Sequence, residues 1–264
     1  MNTLKIRGHQ IAFKDLNQEK KEVILLVHGH PFDHTMWEYQ YEALKNYRLL
    51  LPDLKGYGQS ATNFEQLFIE SQALDLALLL DELSIEKVHL IGLSMGGQII
   101  VEFQRLFPTR VKSLLIAAST PTAETLESRA NRLALAATIQ EIGMLTYTQK
   151  DIHKYINLER IRGDSEVYQH LFKMMTKATV EGVVAAHRGR AERRDNFNYL
   201  KNINVPTLVI VGEKDYFFSV EMVEKVANAI PHAQFEIIKG AGHLPNMEKA
   251  EEFNELMTEF YEGI

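Results

Sequence analysis

The stretch Val88-His89-Leu90-Ile91-Gly92-Leu93-Ser94-Met95-Gly96-Gly97 decides how this chain reads. Val88 to Ile91 is a strand-like run, and from Met95 to Phe107 the pattern is helical until Pro108 stops it. A serine therefore sits between a strand and a helix in the pattern G-x-S-x-G. So sharp a turn strains the backbone of its central residue, and side chains two positions either side would collide. Glycine at 92 and 96 removes those collisions. The turn leaves Ser94 Oγ exposed at the carboxyl edge of the sheet, where open α/β sheets place their ligands. The helix start also offers a free N–H, that of Met95, where negative charge would develop.

Outward from this turn the chain alternates strands and helices. Leu4 to Phe13 reads as a hairpin around Gly8-His9, Val23 to Val27 as a strand covered on both faces, and Tyr47 to Pro52 as another strand. Phe64 to Leu83 has helical spacing, and Val111 to Ala118 is strand-like again. The order β-α-β-α-β implies a parallel sheet with helices on both faces. After Pro121 the strand signal stops, and helical periodicity runs from Ala123 to about Asn198. It returns at Thr207 to Val211, followed by a helix (Val220 to Ala229), a strand (Gln234 to Ile238) and a last helix (Lys249 to Tyr261). Residues 1–121 and 200–264 thus form an α/β core, with 122–199 as a helical insert.

A serine hydroxyl needs a base, and histidine is the natural one near neutral pH. His243 lies in Gly240-Ala241-Gly242-His243-Leu244-Pro245, a loop between the last strand and last helix, at the same sheet edge as Ser94. A carboxylate must orient the imidazole and stabilise its charged form. Val211-Gly212-Glu213-Lys214-Asp215 supplies two, and Asp215 is preferred because Glu213 lies closer to the strand end. The loop Ser119-Thr120-Pro121-Thr122 has no carboxylate to offer. The catalytic residues in chain order are then Ser94, Asp215 and His243. His28-Gly29-His30-Pro31 follows the buried strand and can turn a second oxyanion donor, the His30 N–H, toward the carbonyl oxygen held by Ser94. On this reading the side chain of His30 matters less than its position.

Composition excludes several other chemistries. A net charge of −6 over 264 residues and a pI near 6.0 argue against nucleic acid as a partner. Arg188, Arg190, Arg193 and Arg194 are interleaved with Glu192 and Asp195, which reads as a solvated helix face. The chain has no cysteine, so thiol nucleophiles, disulfides and thiolate metal sites are out. No apolar run is long enough to span a membrane, and the amino terminus lacks a secretory pattern, which makes a cytoplasmic location the expectation. His28, His30, Asp33 and His34 spell H-x-H-x-x-D-H, which invites a zinc reading. The spacing is one residue longer than the metallo-β-lactamase pattern it resembles, and no well-spaced downstream ligands follow. No metal and no cofactor are expected.

Taken together, His28 to Pro31, Asp53-Leu54-Lys55-Gly56-Tyr57-Gly58-Gln59-Ser60, Gly92 to Gly97, Asp215 and Gly240 to Pro245 resemble the α/β-hydrolase superfamily over nearly the whole chain. Within it the chain is similar to capped serine esterases, non-haem haloperoxidases and 3-oxoadipate enol-lactonases. The resemblance implies a mostly parallel sheet of about eight strands and a cap over the site formed by the helical insert. It also implies a small-molecule ester or lactone substrate turned over without a cofactor. Asp53, Gly56 and Gly58 look structural. His34 and Trp37 either line the pocket or cover the sheet edge. Met144, Leu145, Tyr147, Tyr155, Phe172, Met174, Met175 and Leu244 are further candidates for its wall, and an apolar lining would favour uncharged groups. A small-molecule sensor with slow turnover is the alternative of another class, and the oligomeric state is left open.

Overall fold

The computed structural model describes residues 1–159, 162–163 and 165–264. Strands β1 (Asn2–Ile6) and β2 (His9–Leu16) form the expected antiparallel hairpin, with Ile6 opposite His9. Strand β3 (Val23–Val27) is buried along its whole length, and β4 (Arg48–Pro52) lies parallel to it. Continuous apolar runs of this kind are what a sheet covered on both faces requires. Helix α1 (Ile69–Glu82), β5 (Val88–Leu93), α2 (Met95–Leu106) and β6 (Val111–Ala117) complete the first half.

Helix α1 begins five residues later than the periodicity suggests. Tertiary contact overrides it there: the Leu67 N–H donates to the Ala185 carbonyl at 3.0 Å, and the Leu67 side chain is buried.

Between residues 122 and 199 the described residues hold no strand. Helix α3 (Leu126–Asp151) is broken at Gly143, whose φ of 73° and ψ of 168° are not helical. Helices α4 (Glu166–Lys177) and α5 (Val180–Ala191) both pack against it. Thr125, Ser165 and Thr179 cap the three helices, each side-chain oxygen accepting an N–H of the first turn. Such a cap contributes about 1 kcal/mol.

Strand β7 (Thr207–Gly212), helix α6 (Val220–Ala229), strand β8 (Gln234–Ile238), the single turn α7 (Pro245–Glu248) and helix α8 (Ala250–Glu262) end the chain. The sheet has eight strands in the order β1-β2-β4-β3-β5-β6-β7-β8, parallel from β4 to β8. This is the α/β-hydrolase fold expected from the sequence. Because β3, β5, β6, β7 and β8 run the same way, the loops carrying His30, Ser94, Ser119, Asp215 and His243 leave the sheet at one edge. No described helix is long and apolar enough to cross a membrane.

Candidate active site

Ser94 is held in a strained turn, at φ 55° and ψ −115°. Its N–H donates to the Ala117 carbonyl at 2.9 Å, and the Ser119 hydroxyl donates to its carbonyl at 2.7 Å. A Cβ at Gly92 would stand 2.5 Å from the Gly96 carbonyl oxygen, and one at Gly96 would fall on the Val27 carbonyl oxygen. The turn closes only because both positions lack side chains. Ser94 Oγ has no hydrogen-bond partner among the described residues. The residue opens on a cavity of about 500 Å³.

His243 lines the same cavity. Its Nδ1 lies 2.9 Å from Asp215 Oδ2, and the Asp215 side chain is 0 % exposed. An ionised carboxylate can only accept, so Nδ1 carries the hydrogen of this bond. The other Asp215 oxygen accepts the N–H groups of Phe217 and Phe218 at 2.8 and 3.2 Å, which fixes the carboxylate. The rings of Phe217, Phe218 and Tyr155 pack on the imidazole at centroid distances of 4.8, 5.8 and 6.1 Å. Glu213 points elsewhere: it is exposed and accepts the Gly240 N–H at 3.0 Å.

Glu248 was not a site candidate on sequence grounds. Its carboxylate accepts the N–H groups of Gly242, Leu244 and Asn157 at 3.0, 3.3 and 2.8 Å. Burial raises its pKa above the usual carboxylate value, and these three donors offset only part of that rise.

The His28-to-Pro31 loop uses its side chains more than expected. His28 is structural: Nδ1–H donates to the Gly29 carbonyl at 2.8 Å, and Nε2 accepts the Leu54 N–H at 3.0 Å. His30 bonds Tyr57 Oη through Nδ1 at 2.5 Å and His187 Nε2 through Nε2 at 3.0 Å, both partners being buried. Its side chain therefore ties the sheet edge to α5, so its identity does matter. Burial, His187 and Arg190 hold His30 well below the usual histidine range, and burial with Arg132 and Arg190 does the same to His187. Both are neutral at pH 7. Burial raises the Tyr57 pKa, so its hydroxyl keeps its proton. With that hydroxyl donating to His30 Nδ1, His30 Nε2–H donates to His187, whose Nδ1–H is left without a partner. The backbone N–H groups of His30 and Met95 donate to nothing else among the described residues.

Of the ten pocket candidates, Tyr147 and Tyr155 line the cavity, their hydroxyls 2.8 Å apart. His34, Trp37, Met144 and Leu244 lie outside it. Trp37 and Leu244 are sealed in the core at 0 % exposure, Met144 is buried, and His34 is engaged with Asp53 at 2.7 Å. Leu145 is exposed, and Phe172, Met174 and Met175 pack in the apolar core.

The expectation of a solvated arginine face fails at two positions. Arg188 and Arg194 are exposed, but Arg190 and Arg193 are buried and, with Arg132, line the cavity. A helix with Gly182 to Ala186 buried throughout has no wholly solvated face to give. Arg132 and Arg193 both pair with Glu124. Burial opposes the charge on Glu124, yet the two guanidinium groups outweigh it and hold the carboxyl down at about 2. The wall is accordingly not purely apolar.

Asp33, His34 and Asp53 could bring three ligand atoms within 4.8 Å of one another, without His28 or His30. One oxygen of Asp33 and both oxygens of Asp53 are already engaged. Asp33 accepts the N–H and hydroxyl of Thr35, and Asp53 accepts from His34 and from the Gln59 N–H. The cluster closes a loop, as Asp53 and Gly58 were expected to do.

Known proteins match this chain over nearly its whole length. A putative 2-succinyl-6-hydroxy-2,4-cyclohexadiene-1-carboxylate synthase of Bacillus subtilis (strain 168) is 26% identical, over 97% of this chain and 96% of its own. The 3-oxoadipate enol-lactonase 1 of Acinetobacter baylyi is 28% identical, over 98% and 95%. Among solved structures, a thermophilic esterase from Thermogutta terrifontis with malate bound has a TM-score of 0.94 at 34% identity, over 100% of this chain and 99% of the other. The profile of the alpha/beta hydrolase family matches residues 24–256, and the chain belongs to that family.

Proposed function

We propose that this protein is a serine hydrolase of small carboxylic esters. Ser94 attacks the ester carbonyl while His243 Nε2 takes its proton, and Asp215 stabilises the imidazolium. The N–H groups of His30 and Met95 hold the oxyanion. His243 then protonates the leaving alkoxide. Water, deprotonated by the same imidazole, releases the acid and restores Ser94. Residues 122–199 act as the lid, supplying Tyr147, Tyr155, His187 and Arg190 to the cavity wall.

The observation that carries this reading is a histidine oriented by a fully covered carboxylate, beside a cavity on which a strained, unpartnered serine opens. Ser94→Ala is expected to abolish turnover of short p-nitrophenyl esters while far-UV circular dichroism stays unchanged. Substantial residual turnover would reject the assignment. A second reading, hydrolysis of lactones by the same residues, is favoured by the similarity to an enol-lactonase. Parallel kinetics on a lactone series and on open-chain esters decide between them. Multiple turnovers on either series would exclude a sensor that binds and releases slowly.

A further inference from the structure

The arginines of the cavity wall do not balance. Three guanidinium groups, those of Arg132, Arg190 and Arg193, face it with one carboxylate, Glu124. Glu124 is shared by Arg132 and Arg193. Arg190 is left over. Its Nε donates to Gln98 Oε1 at 3.4 Å, a long bond to a neutral group, and no ion pair reaches it among the described residues. A buried cation without an anion is strongly unfavourable, and proteins seldom keep one without a use. Burial, with Arg132 and Arg193 beside it, pushes the guanidinium down to about 9, so it still carries its charge at pH 7.

A second group on the same helix is also unfilled. His187 precedes Arg190 by about one turn of α5, and its Nδ1 is buried with no partner. Both residues line the cavity.

Arg190 lines the same cavity as Ser94. Gln98, its one side-chain hydrogen-bond partner among the described residues, lies four positions beyond Ser94 on the helix that Ser94 caps. A planar guanidinium is also the side chain whose donor fork matches a carboxylate.

Resting on the serine-hydrolase reading, we propose that the substrate is an ester or lactone bearing a carboxylate, and that Arg190 binds this carboxylate. The cavity then selects by charge. Neutral esters of equal size leave Arg190 unpaired, whereas the anionic ester completes the wall.

The test compares monoethyl glutarate with ethyl pentanoate, a near-isostere without the charge, by ethanol release. Wild type, R190Q and R190K are assayed, and each protein is also melted with glutarate against sodium chloride at equal ionic strength. Wild type is expected to favour the anionic ester in kcat/KM by about 10-fold or more. R190Q should lower the ratio of anionic to neutral kcat/KM by about 30-fold or more, as expected for truncating a buried charged pair. Glutarate should raise the Tm of wild type and not of R190Q. R190K keeps the charge without the fork and should lose about 3- to 10-fold in the ratio, which covers the case of R190Q failing to fold. A wild-type preference for ethyl pentanoate, or a ratio unmoved in both variants, would overturn the assignment and leave the hydrolase reading standing. No turnover of either ester, with glutarate still stabilising wild type alone, would sink the hydrolase reading and keep the anion site. No stabilisation and no turnover would remove both.

Discussion

Glu248 holds the two backbone N–H groups that flank His243. One oxygen takes Gly242 at 3.0 Å and Leu244 at 3.3 Å, and the other reaches Asn157 at 2.8 Å. The imidazole is thus positioned from both sides, by Asp215 through its ring and by Glu248 through its backbone. Glu248 contacts no reacting atom and acts as a positioning residue.

Glu248→Gln is expected to lower kcat by about 10-fold or more while KM stays within about twofold, because binding does not depend on the histidine loop as turnover does. Stability should fall by about 1–3 kcal/mol, since buried donors lose a charged acceptor. Steady-state kinetics with urea unfolding read both. Equal loss in kcat and KM would point to a general loosening instead.

The buried histidines predict acid lability. His30 and His187 have folded pKa values well below 6.5, so the unfolded chain binds protons that the folded chain refuses. Their contribution is complete above about pH 6.5 and is lost as pH falls below it, by up to about 1.4 kcal/mol per pH unit for each. Glu248, with its raised pKa, works in the opposite sense, gaining stability as pH falls. Urea unfolding at about pH 7.5 and about pH 5.5 should show the loss, and His187→Gln should make it shallower. Parallel pH curves for the two proteins would contradict this account.

On the hydrolase reading, Ser94 trades stability for reactivity. At φ 55° and ψ −115° it occupies backbone space that glycine tolerates and serine does not. Ser94→Gly should unfold about 1 kcal/mol less readily than the parent while losing all ester hydrolysis. A Tm at or below the parent value would argue against strain at this turn.

Metal removal should change nothing at the reacting groups. Asp33 spends one oxygen on Thr35, and Asp53 spends both on His34 and Gln59. Prolonged dialysis against a chelator is expected to leave kcat/KM within about twofold. A loss restored by zinc or another divalent ion would return the loop to consideration as a metal centre.

The fold was legible in the sequence because its signals are local. Buried parallel strands are unbroken apolar runs, and helix α6 has the same ends by periodicity and by hydrogen bonding. The loops bearing Ser94, Asp215 and His243 stand out because a turn needing glycine or following a strand leaves a short-range mark. What escaped depends on partners distant along the chain. Glu248 opens the last, amphipathic stretch and looks like one more solvated acid. Arg190 alternates with acidic residues and looks like surface. Trp37 and Met144 were candidates for the pocket because apolar residues there and in the core are written alike. The available signal for Arg190 was Gly182-Val183-Val184-Ala185-Ala186: a helix with so little polar surface is central to its own segment, so its arginines could not all reach water.

Asn157 links the helical segment to the loop that carries His243. It reaches across from the helical segment to the histidine loop twice, through its N–H to Glu248 and through its side-chain amide to the Gly240 carbonyl at 2.9 Å. On the hydrolase reading, swinging that segment outward at this corner would cut both ties and unseat the base. An open door would then leave the reagent disarmed, and bulk water entering with a molecule would meet a serine that has no partner to fire it.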